Sequence, residues 1–127
     1  MLIRFSCRNF KTFKDEAVIS FSASKITEYS SHVMTDCKES VLHVSVIYGA
    51  YGTGKTAFLE AFRYMTRYVI NSLGYEEGVD ERKTGLVRPV INPYLSDRSS
   101  YFEEFFTADK KIYQYGFTID DRNVQEE

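Results

Sequence analysis

The sequence predicts an α/β fold, and three consecutive features indicate it. Residues 41–48 form a β-branched, mostly apolar run, which is typical of a strand that is covered on both faces. A glycine-rich stretch, residues 49–56, follows this run directly. From Lys55 onward, apolar side chains recur at steps of three or four, which is the period of a helix. A buried strand, a glycine-rich loop and a long amphipathic helix, in that order, are typical of an α/β domain.

The residues before this unit predict a β-hairpin. Residues 2–8 alternate partly between apolar and polar side chains, as expected of a strand with one buried face. Residues 9–15 form the turn, and residues 17–21 read as the second strand. Residues 23–40 are rich in Ser and Thr and have no firm period, so we expect a loop that holds at most a short strand.

The helix that begins at Lys55 is expected to bury one apolar face and to end at a glycine. Gly74 lies at the expected C-terminal end of the helix, where a residue in the left-handed conformation commonly follows the last turn. Tyr64 and Tyr68 lie one turn apart, and we interpret them as packing residues rather than as a platform for stacking bases. The expected buried face comprises Phe58, Phe62, Met65, Val69 and Leu73, with Leu59 beside them.

The last third of the chain predicts a connection followed by a second hairpin. Residues 75–98 are charged and contain two glycines and two prolines, so we expect a mobile connection. Residues 101–106 and 111–119 are rich in aromatics and flank Asp109 and Lys110, which predicts two strands and a tight turn. Glu103 and Glu104 are adjacent on a strand and face opposite sides, so they are not expected to form a catalytic carboxylate pair.

Composition excludes several classes of protein. At 127 residues and 14.8 kDa, the chain corresponds to one small domain. With 27% charged and 43% hydrophobic residues, it is neither disordered nor membrane-spanning by composition. A net charge of −2 argues against nucleic-acid binding driven by overall charge, although the first fourteen residues are basic and could face an anion. We therefore expect a cytoplasmic protein with reduced thiols and no contact with a membrane.

Four residues that often bind metals do not have the spacing of a metal site. Cys7, Cys37, His32 and His43 form neither a C-x-x-C nor an H-x-x-x-H pattern. We interpret them as buried or incidental side chains.

The glycine-rich stretch carries the clearest chemical signal. Residues 49–56 satisfy G-x-x-x-x-G-K-[ST], the pattern of a phosphate-binding loop. Glycines let the backbone curl so that successive N–H groups form an anion-binding nest, to which the helix N-terminus adds its positive dipole end. Lys55 would bridge β- and γ-phosphate oxygens, and Thr56 would place its hydroxyl on Mg²⁺. The predicted binding residues are Gly49, Ala50, Tyr51, Gly52, Thr53, Gly54, Lys55 and Thr56; the alternative is a flexible glycine loop without a ligand.

The chain resembles the N-terminal lobe of ABC-type ATPase heads, the SMC, RecF and OLD-like group of P-loop NTPases. The resemblance rests on residues 1–6 and 9–15, on residues 46–56, and on Leu59-Glu60-Ala61. Within that group it looks most like bacterial AAA family ATP-binding proteins of the abortive-infection and OLD-like kind. Two features favour this subgroup: a long segment before the glycine-rich loop, and the tail formed by residues 113–119 and 124–127.

The resemblance implies an ATP and Mg²⁺ site whose Walker A loop is residues 49–56 and whose catalytic lysine is Lys55. Lys11 aligns with a basic position that lies near the nucleotide in such heads; the alternative is a solvated turn lysine. Relatives carry a signature motif, a Walker B acid, a D-loop and a switch histidine C-terminal to this region, and we find none of them here. In particular, residues 117–121 alternate and close a hairpin, unlike a Walker B strand. For the Q-loop glutamine, Gln114 and Gln125 are candidates that no further feature of the sequence supports.

The resemblance also implies partners and a biological role. We expect residues 1–127 to be a single, incomplete nucleotide-binding domain that needs a C-terminal ATPase lobe. Complete relatives sandwich ATP between two heads in a homodimer. By the resemblance, hydrolysis would drive head opening or gate a nuclease or toxin partner acting on nucleic acid, as in phage defence.

Two alternative functions are also compatible with the sequence. The chain could be a small, non-hydrolysing nucleotide-binding regulatory protein that needs a separate partner lobe. A GTP-specific switch is the other, although the base-reading pattern Asn-Lys-x-Asp is absent from the sequence.

Overall fold

The computed structural model describes residues 1–24, 30–71, 99–119 and 124–126. Within them, one α-helix packs on one face of a five-stranded antiparallel sheet, and a separate two-stranded hairpin lies beside it. The elements are β1 (Leu2–Arg8), β2 (Ala17–Ser20), a 3₁₀ turn (Ser30–His32), β3 (Val33–Asp36), β4 (Glu39–Leu42), α1 (Lys55–Asn71), β5 (Ser100–Ala108), β6 (Lys111–Ile119) and β7 (Val124–Glu126).

The large sheet has the strand order β2-β1-β5-β6-β7, so β1 lies between its hairpin partner and a strand from the distant second hairpin. Phe5 is opposite Ile19 on one side and Glu104 on the other. Both hairpins predicted from the sequence, β1–β2 and β5–β6, are confirmed. The pairing of β1 with β5 therefore joins the first hairpin of the chain to the second hairpin in one open sheet.

The turns of the hairpins use left-handed residues other than glycine. Asp109 and Lys110 join β5 to β6 with φ of 50° and 59°. Cys37 and Lys38 join β3 to β4 with φ of 53° and 69°. Two consecutive positive φ values give the turn a twist that matches that of the strands. The expectation of a loop with at most a short strand over residues 23–40 was thus wrong for the described part, since residues 33–42 form two paired strands.

The core is an aromatic layer between α1 and the sheet. Phe5 contacts the rings of Phe58 and Phe62 edge-on, with centroids 5.5 and 5.1 Å apart. Phe102 is fully buried and meets Tyr64 at 5.2 Å. Edge-to-face and tilted aromatic pairs each add about 0.5–1.5 kcal/mol beyond the burial of their area. The sheet and the helix are therefore held together mainly by ring packing.

The helix turns a somewhat different face to the sheet than the periodicity predicted. Ala61, Tyr64 and Met65 are buried with Phe58, which confirms the interpretation of Tyr64 as a packing residue. Tyr68 also packs, at 4.5 Å from Phe117. The prediction was wrong for two residues: Leu59 is 60% exposed, and Val69 is also exposed. The flat rings of the tyrosines fit between the sheet phenylalanines, so the helix rotates toward them. Leu73, Gly74 and the predicted connection 75–98 lie outside the described residues.

The predicted buried strand 41–48 was also wrong for most of its length. Val41 and Leu42 end β4, but residues 43–49 form no regular structure. Val44, Val46 and Tyr48 are 73%, 78% and 91% exposed. A central strand needs a neighbouring strand on each side. None of the described strands pairs with residues 43–48. These residues therefore form no strand in the described structure despite their β propensity.

Candidate functional site

The glycine-rich loop, residues 49–56, curls tightly between the exposed segment 43–48 and α1. Gly52 and Gly54 have φ of 82° and 88°, a conformation that side chains other than glycine rarely adopt. The hydroxyl of Thr53 donates to the carbonyl of Ala50 at 2.9 Å, which closes the loop on itself. The predicted curl of this loop is therefore present.

Lys55 reaches back across the loop. Its ammonium donates to the carbonyls of Gly49 and Ala50 at 2.7 and 2.6 Å, and it lies 3.3 Å from the hydroxyl of Thr53. The first residue of α1 thereby pins the first two residues of the loop. This arrangement fixes the loop shape and places a cation over the curl.

The N-terminus of α1 offers unpaired backbone donors beside that cation. The carbonyl of Gly54 accepts the first helical hydrogen bond, from the N–H of Phe58 at 2.9 Å. Gly54 is thus the N-cap residue, and it has no side chain to cap the N–H groups of Lys55, Thr56 and Ala57. Such free N–H groups and the positive end of the helix dipole favour an anion. Thr56, at the second helical position, is exposed and is not among the described residues that line the cleft beside the loop.

The turn after β1 packs directly against this N-cap. A Cβ added to Gly54 would come within 3.0 Å of both Thr12 Oγ1 and Phe13 Cζ. The turn is tight, with Phe10 and Phe13 exchanging backbone hydrogen bonds at 3.0 and 2.9 Å. Lys11, in the middle of the turn, pairs with Glu60 of α1 at 2.5 Å. The structure therefore brings the Lys11 turn to the loop, with the Lys11 side chain held on the helix.

A cleft of about 480 Å³ opens beside the loop. Its walls come from the turn, from β2, from the end of the exposed segment and from the glycine-rich loop with the start of α1. The residues lining it are Phe13, Ala17, Val18, Ile19, Ile47, Tyr48, Gly49, Thr53, Gly54, Lys55 and Phe58. Sequence reasoning missed its β2 wall, because β2 was recognised only as a hairpin strand and nothing in its sequence signals contact with the loop.

The other titratable candidates are dispersed. Cys7 and Cys37 are free thiols, and burial, with a smaller effect of Glu16, raises the pKa of Cys7 to about 12. No group of three or more His, Cys, Asp or Glu side chains within the described ranges could hold a metal ion. Glu103 accepts a hydrogen bond from Gln114 at 2.7 Å, whereas Glu104 lies opposite Phe5 on the helix face of the sheet. The two carboxylates face opposite sides, as predicted.

Burial also shifts the pKa of two groups on β5. Desolvation raises the pKa of Glu104 above its usual range. Burial, followed by the hydrogen bond and charge of Glu103, raises the pKa of Tyr101 to about 12. Neither group lines the cleft among the residues that the structure describes, so we assign both to the sheet rather than to the site.

The part of the chain that the structure describes contains no helix with the length and apolar character required to cross a membrane.

Comparison with known proteins identifies the family. Residues 44–127 match the family model described as "AAA domain, putative AbiEii toxin, Type IV TA system". The match covers about two thirds of the 127 residues and includes the glycine-rich loop, α1 and β5–β7. No curated protein matches the chain.

Proposed function

The chain belongs to this AAA domain family, and on that basis we propose that it binds Mg-ATP, with residues 49–56 acting as its Walker A loop. The observation that carries the proposal is the position of Lys55. Its ammonium spans the curled loop beside the uncapped N-terminus of α1. A triphosphate placed there would meet a fixed cation and several N–H donors at once.

Each residue of the loop has a distinct part in this proposal. The backbone of residues 49–54 shapes the nest, with Gly52 and Gly54 supplying its left-handed positions. Lys55 bridges the β- and γ-phosphates. Lys11, which is paired with Glu60 of α1, is proposed to add positive charge on the side of the nucleotide that faces the turn after β1.

Thr56 is the residue that would hold Mg²⁺. Thr56 is exposed on the first turn of α1, directly after Lys55, which is the position from which its hydroxyl would reach an ion on the phosphates. Mg²⁺ commonly takes only one or two protein ligands and completes its shell with phosphate oxygens and water, so a single hydroxyl fits. When bound, the ion neutralises charge on the triphosphate.

We propose that the chain binds ATP without hydrolysing it unaided. Among the described residues lining the cleft, none carries a carboxylate that could orient water or complete the Mg²⁺ shell. In the ABC-type or OLD-like architecture that we propose, a second ATPase lobe supplies these groups. The exposed apolar segment that contains Val44 and Val46, together with Leu59 on α1, is available to such a lobe.

The wider role follows from the family. We propose that ATP binding by the completed head, as a head-to-head dimer, controls a toxin or nuclease in phage defence. The absence of a described carboxylate in the cleft equally favours the alternative, a nucleotide-binding regulator that partners a separate lobe.

The test is calorimetric titration of the purified chain with Mg-ATP, comparing Lys55→Ala with Lys14→Ala. Lys14 is an exposed turn residue, so its substitution removes the same charge without touching the loop. We expect saturable binding that Lys55→Ala abolishes and Lys14→Ala retains. Equal affinity in the two variants would refute the proposal.

A further inference from the structure

One residue that lines the cleft, Val18 of β2, has backbone groups that the proposed phosphate site does not use. β2 is an edge strand of the large sheet. Directly after it, Phe21 and Ala23 bond to Leu42 and Ser40 of β4, so among the described residues the outer side is free of strand pairing only within Ala17–Ser20. The N–H of Phe21 donates to the carbonyl of Ile3 at 2.8 Å, which sets the phase of the β1–β2 ladder. In an antiparallel pair, alternate residues point their N–H and C=O groups away from the partner. Val18 is one of them, because it is three residues from Phe21, lies opposite Ser6 and stands between the bonded residues Ala17 and Ile19.

This free edge and the glycine-rich loop open into the same cleft. Val18 lines it together with Ala17 and Ile19, and Lys55 and Thr53 line it from the loop. Phe13 lines it too, and its ring is placed by an edge contact with Phe58 at 5.9 Å. The cleft is therefore bounded by an apolar, partly aromatic wall and by Val18, whose N–H and C=O point away from β1.

We propose that this part of the cleft is the base pocket of the site, in which the backbone of Val18 reads the edge of an adenine. The inference rests on the proposed function, since it presumes that the triphosphate lies on residues 49–56. The N6 amino group of adenine donates to the carbonyl of Val18, and N1 accepts from its N–H. The base lies against the apolar wall that includes Phe13.

The same geometry selects against guanine. Adenine presents a hydrogen-bond donor at N6 and an acceptor at N1. These two groups match the C=O and the N–H of an extended residue, respectively. Guanine presents an acceptor at O6 and a donor at N1, the reverse order. Guanine would have to turn over to satisfy both groups of Val18, which would point its ribose away from the loop. Leaving these backbone groups unpaired on burial would weaken binding.

The test measures the affinity of the unmodified chain for ATP, GTP, purine riboside triphosphate and tripolyphosphate, by calorimetry in the presence of Mg²⁺. Purine riboside triphosphate lacks only the N6 amino group. We expect it to bind about five-fold more weakly than ATP, the loss of about one hydrogen bond, and GTP to bind more weakly still. Tripolyphosphate reports on the loop alone.

A backbone variant locates the contact. Val18→Pro removes the outward N–H, and proline is tolerated on the free side of an edge strand. Ser20→Pro is the matched control, because Ser20 also points its N–H outward but does not line the cleft among the described residues. We expect Val18→Pro to weaken ATP about five-fold and to leave tripolyphosphate unchanged, with Ser20→Pro unchanged for both.

The outcomes separate the two proposals. Equal affinity of the unmodified chain for ATP, GTP and purine riboside triphosphate would overturn the base pocket and leave the phosphate site standing. Failure to bind ATP and tripolyphosphate alike would overturn the proposed function and the base pocket with it. If Val18→Pro does not fold, the ratio of ATP to purine riboside triphosphate on the unmodified chain decides.

Discussion

Lys11 and Glu60 form an ion pair that ties the turn after β1 to the second turn of α1. The pair links two segments that both contact the glycine-rich loop, since Thr12 and Phe13 touch Gly54 and α1 begins at Lys55. The turn and the helix are thus fastened together directly behind the loop.

We expect this pair to contribute modestly to stability. The Lys11 and Glu60 side chains are 30% and 44% exposed, and ion pairs so open to solvent are worth about 0.2–1 kcal/mol. A double-mutant cycle with Lys11→Ala and Glu60→Ala, read by urea unfolding, should give a coupling energy in this range that falls with added salt. A coupling of zero at low salt would show that the two residues do not interact in solution.

Gly54 should tolerate substitution much less well than Gly52. Both have positive φ, but a Cβ on Gly54 meets Thr12 and Phe13 at 3.0 Å, whereas a Cβ on Gly52 meets nothing within 4 Å. We expect Gly52→Ala to cost about 1 kcal/mol for its left-handed conformation, and Gly54→Ala to cost more because the neighbouring turn must also shift. Urea unfolding of the two variants makes the comparison. Equal losses would mean that the turn does not press on Gly54.

Glu104 should make stability depend on pH. Burial raises its pKa in the folded chain above the unfolded value, so its favourable contribution is complete below the unfolded pKa and is lost as pH rises through the folded pKa. Glu104→Gln removes the buried charge. We therefore expect this variant to unfold at a higher temperature than the unmodified chain at pH 8, and the difference to shrink toward pH 4.

Glu103→Gln is the control for this measurement. Glu103 is the neighbouring residue on the opposite face, where it is hydrogen-bonded to Gln114. The increase in unfolding temperature at pH 8 should be larger for Glu104→Gln than for Glu103→Gln. The same gain in both variants would trace the effect to net charge rather than to burial.

Phe102 should be the residue on which the core depends most. Its ring is fully buried and contacts Phe10, Tyr64 and Phe117. Phe102→Ala should cost about 3–5 kcal/mol, enough to unfold much of a small chain, while the milder Phe102→Leu should leave it folded with a lower urea midpoint. Ile112→Ala, at an exposed position of β6, should change the midpoint little. A Phe102→Leu variant as stable as the unmodified chain would contradict this packing.

The local elements could be predicted from the sequence because local signals specify them. Both hairpins of the large sheet and the start of the helix at Lys55 follow from alternation, turns and periodicity over a few residues. The curl of the glycine-rich loop follows from the spacing of its glycines. The pairing of β1 with β5 does not, since nothing near Phe5 signals a partner at Glu104.

The errors arise where tertiary contacts override a local pattern. Val44 and Val46 have strand propensity, but a strand forms only when another strand pairs with it. On α1, the period allows a face centred on Phe62 or one centred on Tyr64, and ring packing with Phe102 selects the second. The turn at Cys37 and Lys38 has no Gly or Asn to reveal it.

The most direct test of the nucleotide site is an amide chemical-shift titration of the isotopically labelled chain with Mg-ATP. We expect the largest shifts on the N–H groups of Gly52, Gly54, Lys55 and Thr56, which form the curl and the uncapped helix start. Lys55→Ala should remove these shifts. Saturable ATP binding that leaves these four amides unmoved would contradict the assignment of residues 49–56 as the phosphate site.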